Sequence, residues 1–78
     1  MGKIKKEHKK EFVKCVKQLN ELLEKVREYC PDANYYLANS TLHLMNGESH
    51  EKRGDYFRAR QDRSEECIDL DYSGGGDW

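Results

Sequence analysis

The side chains with the chemistry to act on something else fall into two groups. His43, Asp69 and Asp71 form the first, because an imidazole beside carboxylates suits a metal ion or a proton-transfer pair if the strands carrying them lie side by side. No ligand spacing fixes such a set, so a solvent-facing or interface polar cluster is the plainer expectation. The second group is one polar stretch with His50, Lys52, Arg53, Arg58, Arg60 and Arg63, interleaved with Tyr56 and Phe57. Guanidinium forks match phosphate and carboxylate oxygens, and exposed aromatic rings can stack on a base. Glu48, Glu51, Asp55 and Asp62 dilute the positive charge, so an ordinary solvated loop stands beside an anion-binding surface as a reading of the same residues.

Nucleophilic catalysis finds no support, since no Ser or Cys sits in a recognisable elbow or beside an obvious base. Cys15, Cys30 and Cys67 are an odd number without close spacing, a poor disulfide framework. Fifteen residues of helix would hold Cys15 and Cys30 roughly 22 Å apart, too far to bridge. Arg53-Gly54-Asp55 and Asn39-Ser40-Thr41 spell an adhesion tripeptide and a glycosylation acceptor, which matter only outside the cell. The Gly74-Gly75-Gly76 triplet lacks the Lys and the helix of a phosphate loop. The expectation is a protein with no catalytic residue, metal or cofactor.

These groups need elements to position them, and the strongest runs from Phe12 to Cys30. Phe12, Cys15, Val16, Leu19, Leu22, Leu23, Val26, Tyr29 and Cys30 recur at spacings of three and four, which places them on one stripe of a helix. Pro31 disfavours helical geometry at Cys30, so the helix is predicted to end there, with a basic, partly frayed start over residues 1–10. After the turn at Pro31-Asp32, residues 34–46 read as a hairpin with Asn39-Ser40 as its loop, a longer loop being the alternative because Asn-Ser is a less decisive pair than Asn-Gly. That register pairs Ala38 with Thr41, Leu37 with Leu42, Tyr36 with His43 and Tyr35 with Leu44. It gives a drier face of Tyr35, Leu37, Leu42 and Leu44, and an outward face of Tyr36, Ala38, Thr41, His43 and Met45. Residues 47–66 are expected to be a long polar loop, and 67–72 a third strand with Ile68, Leu70 and Tyr72 inward. A glycine-rich tail, 73–78, ends in Trp78, which either waves free or docks into a pocket. The fold class is therefore α+β, one domain with a long N-terminal helix on a small three-stranded antiparallel sheet.

At 78 residues with 36% hydrophobic, the core is small enough that partners or self-association are expected to help. One sheet face would be left wet, so a second subunit is expected over Tyr36, His43 and Met45. Charge is segregated into blocks: residues 1–17 carry net +5, 18–51 net −4, 52–63 net +3 and 64–78 net −5. Such blocks either meet each other in the fold or across an oligomer interface, or make a basic patch for an anion. No apolar run approaches a membrane span, and the basic start is not followed by the apolar segment of a signal peptide.

From Leu42 onward the chain resembles a set of small, mostly uncharacterised bacteriophage and prophage proteins. The residues that carry this are Leu42-His43-Leu44-Met45 with Gly47, Ser49 and His50, then Ala59-Arg60-Gln61-Asp62-Arg63, and Gly74-Gly75-Gly76-Asp77-Trp78. The resemblance implies an accessory protein of a bacterial cytoplasm and brings no known activity. The expected function is binding to a host macromolecule or sequestration of a small anionic ligand, through Tyr36, His43, His50, Arg53, Tyr56, Phe57, Arg58, Arg60, Arg63 and Trp78. A nucleic-acid-binding module using the basic N-terminus and the Arg-rich stretch is the alternative.

Overall fold

A computed structural model describes residues 2–78. Helix α1 spans Lys6–Arg27, beginning well before the apolar stripe because the Lys- and Glu-rich lead-in is itself good helix-forming sequence. Glu7 in its first turn and Lys25 and Arg27 in its last complement the helix dipole. It ends three residues short of Cys30: the amides of Tyr29 and Cys30 both bond to the Val26 carbonyl, and the Arg27 Nε donates to the carbonyl oxygen of Pro31 at 2.8 Å. Tyr29, placed on the stripe by spacing, is therefore almost wholly exposed.

Strands β1 (Asn34–Ala38) and β2 (Thr41–Met45) pair antiparallel in the expected register, Tyr36 opposite His43 and Leu37 opposite Leu42. Asn39 and Ser40 adopt φ of 51° and 62°, the left-handed pair whose twist matches a two-residue hairpin loop. The next two strands fall where a loop was expected. β3 (His50–Arg53) and β4 (Tyr56–Ala59) form a second hairpin, turned by Gly54-Asp55 with Gly54 at φ 61°. A 3-10 turn over Gln61–Arg63 then leads into β5 (Ser64–Asp69). β5 pairs antiparallel with the free side of β2, giving the order β1-β2-β5 in one sheet and β3-β4 in the other. The architecture is α+β.

β5 starts three residues earlier than its apolar alternation suggests and stops at Asp69. An irregularity in the pairing beside Leu44 and Met45 lets the polar Ser64 join the ladder opposite Met45. After Asp69 the Leu70 amide donates to the Ser40 carbonyl oxygen at 2.7 Å, so the chain leaves the sheet across the end of the first hairpin. Tyr72, expected inward, has φ 60° and is fully exposed.

The tightest packing lies on the face expected to be outward. Met45 and Ala38, with Ala33 beside the first strand, are the buried apolar residues among those described, Met45 at 0% exposure. The supposedly drier face of Tyr35, Leu37, Leu42 and Leu44 is only half-buried. The chain itself brings His50 and Trp78 onto Tyr36 and His43 of the Met45 face, and Met45 is wholly buried within the one chain, so a second subunit has no access to it. Conversely, no residue of α1 is buried. Its polar tie to the sheet is Tyr35, whose hydroxyl donates to the Leu19 carbonyl oxygen at 2.7 Å; burial pushes that phenol's pKa up.

Candidate partner-binding site

Trp78 is docked. Its ring centroid lies 5.0 Å from that of Tyr36 and 4.9 Å from that of His43, while the ring of His50 meets Tyr36 edge-on at 5.9 Å. Alternation puts Tyr36 and His43 on one sheet face as a cross-strand pair, and the two sequence-distant groups arrive from either side. The tail is strapped along β1: the Asn39 amide donates to the Gly76 carbonyl oxygen at 2.9 Å, and the Tyr36 hydroxyl to that of Asp77 at 3.2 Å. At the hairpin end the Ser40 hydroxyl donates to the Ser73 carbonyl oxygen at 3.2 Å. Gly75 makes this path possible, because residues with side chains rarely adopt its φ of 137°.

His43 Nδ1 shares a hydrogen bond with the Ser64 hydroxyl at 2.7 Å. A Ser–His contact is half of a nucleophile–base arrangement, but the bond ties β2 to the start of β5 and the ring meets Trp78 in a T-shaped contact. Asp69 does not reach His43; it lies opposite Thr41 and accepts that hydroxyl's hydrogen at 3.1 Å. Among the described residues no three His, Cys, Asp or Glu side chains are grouped to hold a metal ion.

The Arg-rich stretch is organised by a residue that sequence reading treated as dilution. Glu51 Oε1 accepts from Arg53 Nε at 2.9 Å, while its Oε2 accepts from Arg60 at 2.6 Å and lies 3.5 Å from Arg63. Arg60 also forks onto Asp62, and Arg63 donates to the Glu48 carbonyl oxygen at 3.0 Å. Arg53, Arg60 and Arg63 are therefore paired with carboxylates or carbonyls of the chain itself, Arg53 through its Nε alone. Hydrogen bonds from Arg53 and Arg60 hold the Glu51 carboxyl below its ordinary range, and Arg60 pulls Asp62 down to about 2. Both carboxylates are depressed in the folded chain, so their contribution is complete above the ordinary values of 4.5 and 3.8. It is lost as pH falls through the depressed values. Protection of the β3–β4 amides from hydrogen exchange is expected to decline first below about pH 4, and Glu51→Gln should produce the same loosening at neutral pH. Amide exchange unaltered by Glu51→Gln would show that the network does not hold the hairpin.

With those arginines engaged, the free end of the second hairpin presents something different. Tyr56 and Phe57 are 65% and 69% exposed, with Lys52 and Arg58 exposed beside them. The register sets Lys52 opposite Phe57 and Arg53 opposite Tyr56, so each ring has a cation across the ladder. At the hairpin's base an open cleft of about 480 Å³ is lined by Arg27, Asp32, Asn34, Ser49, His50 and Phe57, among others.

Of the ten residues singled out by sequence, Tyr36, His43, His50 and Trp78 come together in the aromatic cluster. Arg53, Arg60 and Arg63 join around Glu51, and Tyr56, Phe57 and Arg58 stand on the hairpin. Ser64 and Glu51 were missed. Ser64 had no signal, since its place depends on the irregular pairing of β5. Glu51 had one: Gly54-Asp55 marks a two-residue hairpin loop that sets Glu51 across from Arg58. The result is a small α+β scaffold with a packed aromatic cluster and an exposed aromatic hairpin. Comparison with protein families, with curated proteins and with solved structures returns no match. Among the described residues no helix is long and apolar enough to cross a membrane.

Proposed function

We propose that the chain is a non-catalytic binding protein, of the phage accessory kind its sequence pieces resemble, that engages a macromolecule of the bacterial cytoplasm through the β3–β4 hairpin. The observation that carries this reading is the pair Tyr56 and Phe57, two large rings left about two-thirds exposed on a hairpin that Glu51 ties at its base. Exposed aromatics on a stiff element are what binding hot spots are made of, because little freedom is lost when they are covered. Sequestration of a small anion is the weaker version, since the arginines suited to it are already paired with Glu51 and Asp62.

The test is capture of a partner from bacterial lysate by the wild-type protein, its identification, and measurement of affinity with purified components. Tyr56→Ala/Phe57→Ala should weaken binding at least about tenfold. Equal affinity of wild type and variant would sink the assignment. A nucleic-acid partner is the second reading, favoured by the unpaired Lys52 and Arg58 beside rings that can stack. It separates from a protein partner by salt: affinity for nucleic acid drops steeply through counterion release, and a contact centred on the rings does not.

A further inference from the structure

The hairpin leaves unexplained a second uncovered surface, on the opposite side of the chain's chemistry. Phe12, Val13, Val16, Leu19 and Leu22 are all exposed along α1, as is Ile4 just ahead of it, and Ile68 is 71% exposed on the sheet. Ile68 and Glu66 lie opposite Leu42 and Leu44. Together with Leu22 and Tyr35 these residues line an open, largely apolar cleft of about 150 Å³ between helix and sheet. A separate apolar hollow of about 370 Å³ is formed at the start of the helix by Ile4, His8, Lys9, Phe12 and Val13.

The chain is too open to be its own solution. A compact monomer of 9.2 kDa exposes roughly 4,900 Å² by the scaling of surface with mass, whereas this chain exposes 6783 Å². Its radius of gyration is 15.1 Å, where about 11.5 Å is expected for 78 residues. The excess of roughly 1,900 Å² exceeds the ~800 Å² that each partner buries in a standard interface.

We propose that a second copy of this chain covers this surface in a two-fold dimer, the first half of each α1 lying over the β5 margin of the other chain's sheet. Charge selects that arrangement. The lead-in and first turns of the helix carry Lys3, Lys5, Lys6, Lys9 and Lys10 against Glu7 and Glu11, with Lys9 one turn before Phe12, and β5 carries Glu66 on the face of Ile68, with Glu65, Asp69 and, just beyond the strand, Asp71 nearby. A two-fold axis brings the basic block of one chain to the acidic block of the other twice over. The competing route, pairing β5 edge to edge with its copy, would set Glu65, Glu66 and Asp69 against themselves, the kind of like-charge edge that blocks such pairing. Phe12 and Val16 would enter beside Ile68 and Leu42, and Lys9 would meet Glu66 of the opposite chain.

The test is mass by light scattering at tens of micromolar. Wild type should have twice the 9.2 kDa chain mass, and Phe12→Glu/Val16→Glu should be monomeric with unchanged circular dichroism, because both residues are exposed within one chain. Lys9→Glu and Glu66→Lys should each raise the dimer dissociation constant about tenfold, and the double exchange should restore it. A monomeric wild type overturns the proposal, and its sedimentation with anionic vesicles or with nucleic acid would reassign the stripe to that partner. Failure of the double exchange to restore the dimer overturns the charge arrangement proposed.

Discussion

Met45→Ala is expected to remove much of the chain's stability, about 2–5 kcal/mol, and to lower Tm by roughly 10–30 °C as followed by circular dichroism. The side chain is completely buried, and it is the largest among the described residues that is. The two other buried apolar residues, Ala33 and Ala38, are too small to fill the space it would leave. A 78-residue domain has only about 4–12 kcal/mol in total, so the variant should approach the folding threshold. Leu42→Ala, on the half-buried face, should cost distinctly less. A Met45→Ala protein melting within a few degrees of wild type would show that the core lies elsewhere.

The second large effect is expected from Trp78→Ala, a loss of about 1–3 kcal/mol, because it removes the lid over Tyr36 and His43 and two aromatic contacts together. Trp78 is the only tryptophan, so its fluorescence reports its own position without interference. Native emission should be blue-shifted from that of the unfolded chain, and Tyr36→Ala should shift it toward the unfolded position. Gly75→Ala should do the same without touching either ring, since φ of 137° is closed to alanine. Native emission coincident with the unfolded spectrum would refute the docked arrangement.

The first hairpin was legible residue by residue. Taking Asn39-Ser40 as a two-residue loop sets the register that the strands adopt, and a shift of one would have turned every side chain over. Which of its faces would be buried was not legible, because that depends on what covers it. Counting apolar side chains favoured Leu37, Leu42 and Leu44, whereas the fold brings His50 and Trp78 to the face with Met45. The second hairpin escaped notice because His50-Glu51-Lys52-Arg53 has no apolar alternation: it is held by pairing and by charge, which leave no periodic trace. The same charges concealed the site's character, since a cluster of arginines reads as an anion site until the Glu51 that occupies three of them is placed.

The strap of the tail also orders events in time. Each hairpin closes a two-residue loop, and hairpins form within microseconds. The Tyr36–Asp77 bond joins residues 41 apart, and Ser40–Ser73 residues 33 apart, so each closure carries a larger entropy and needs the first hairpin already in place as its template. Docking of the indole is thus expected to come last in folding and to be undone first, so that fluorescence should lag the secondary structure on refolding and lead it on melting.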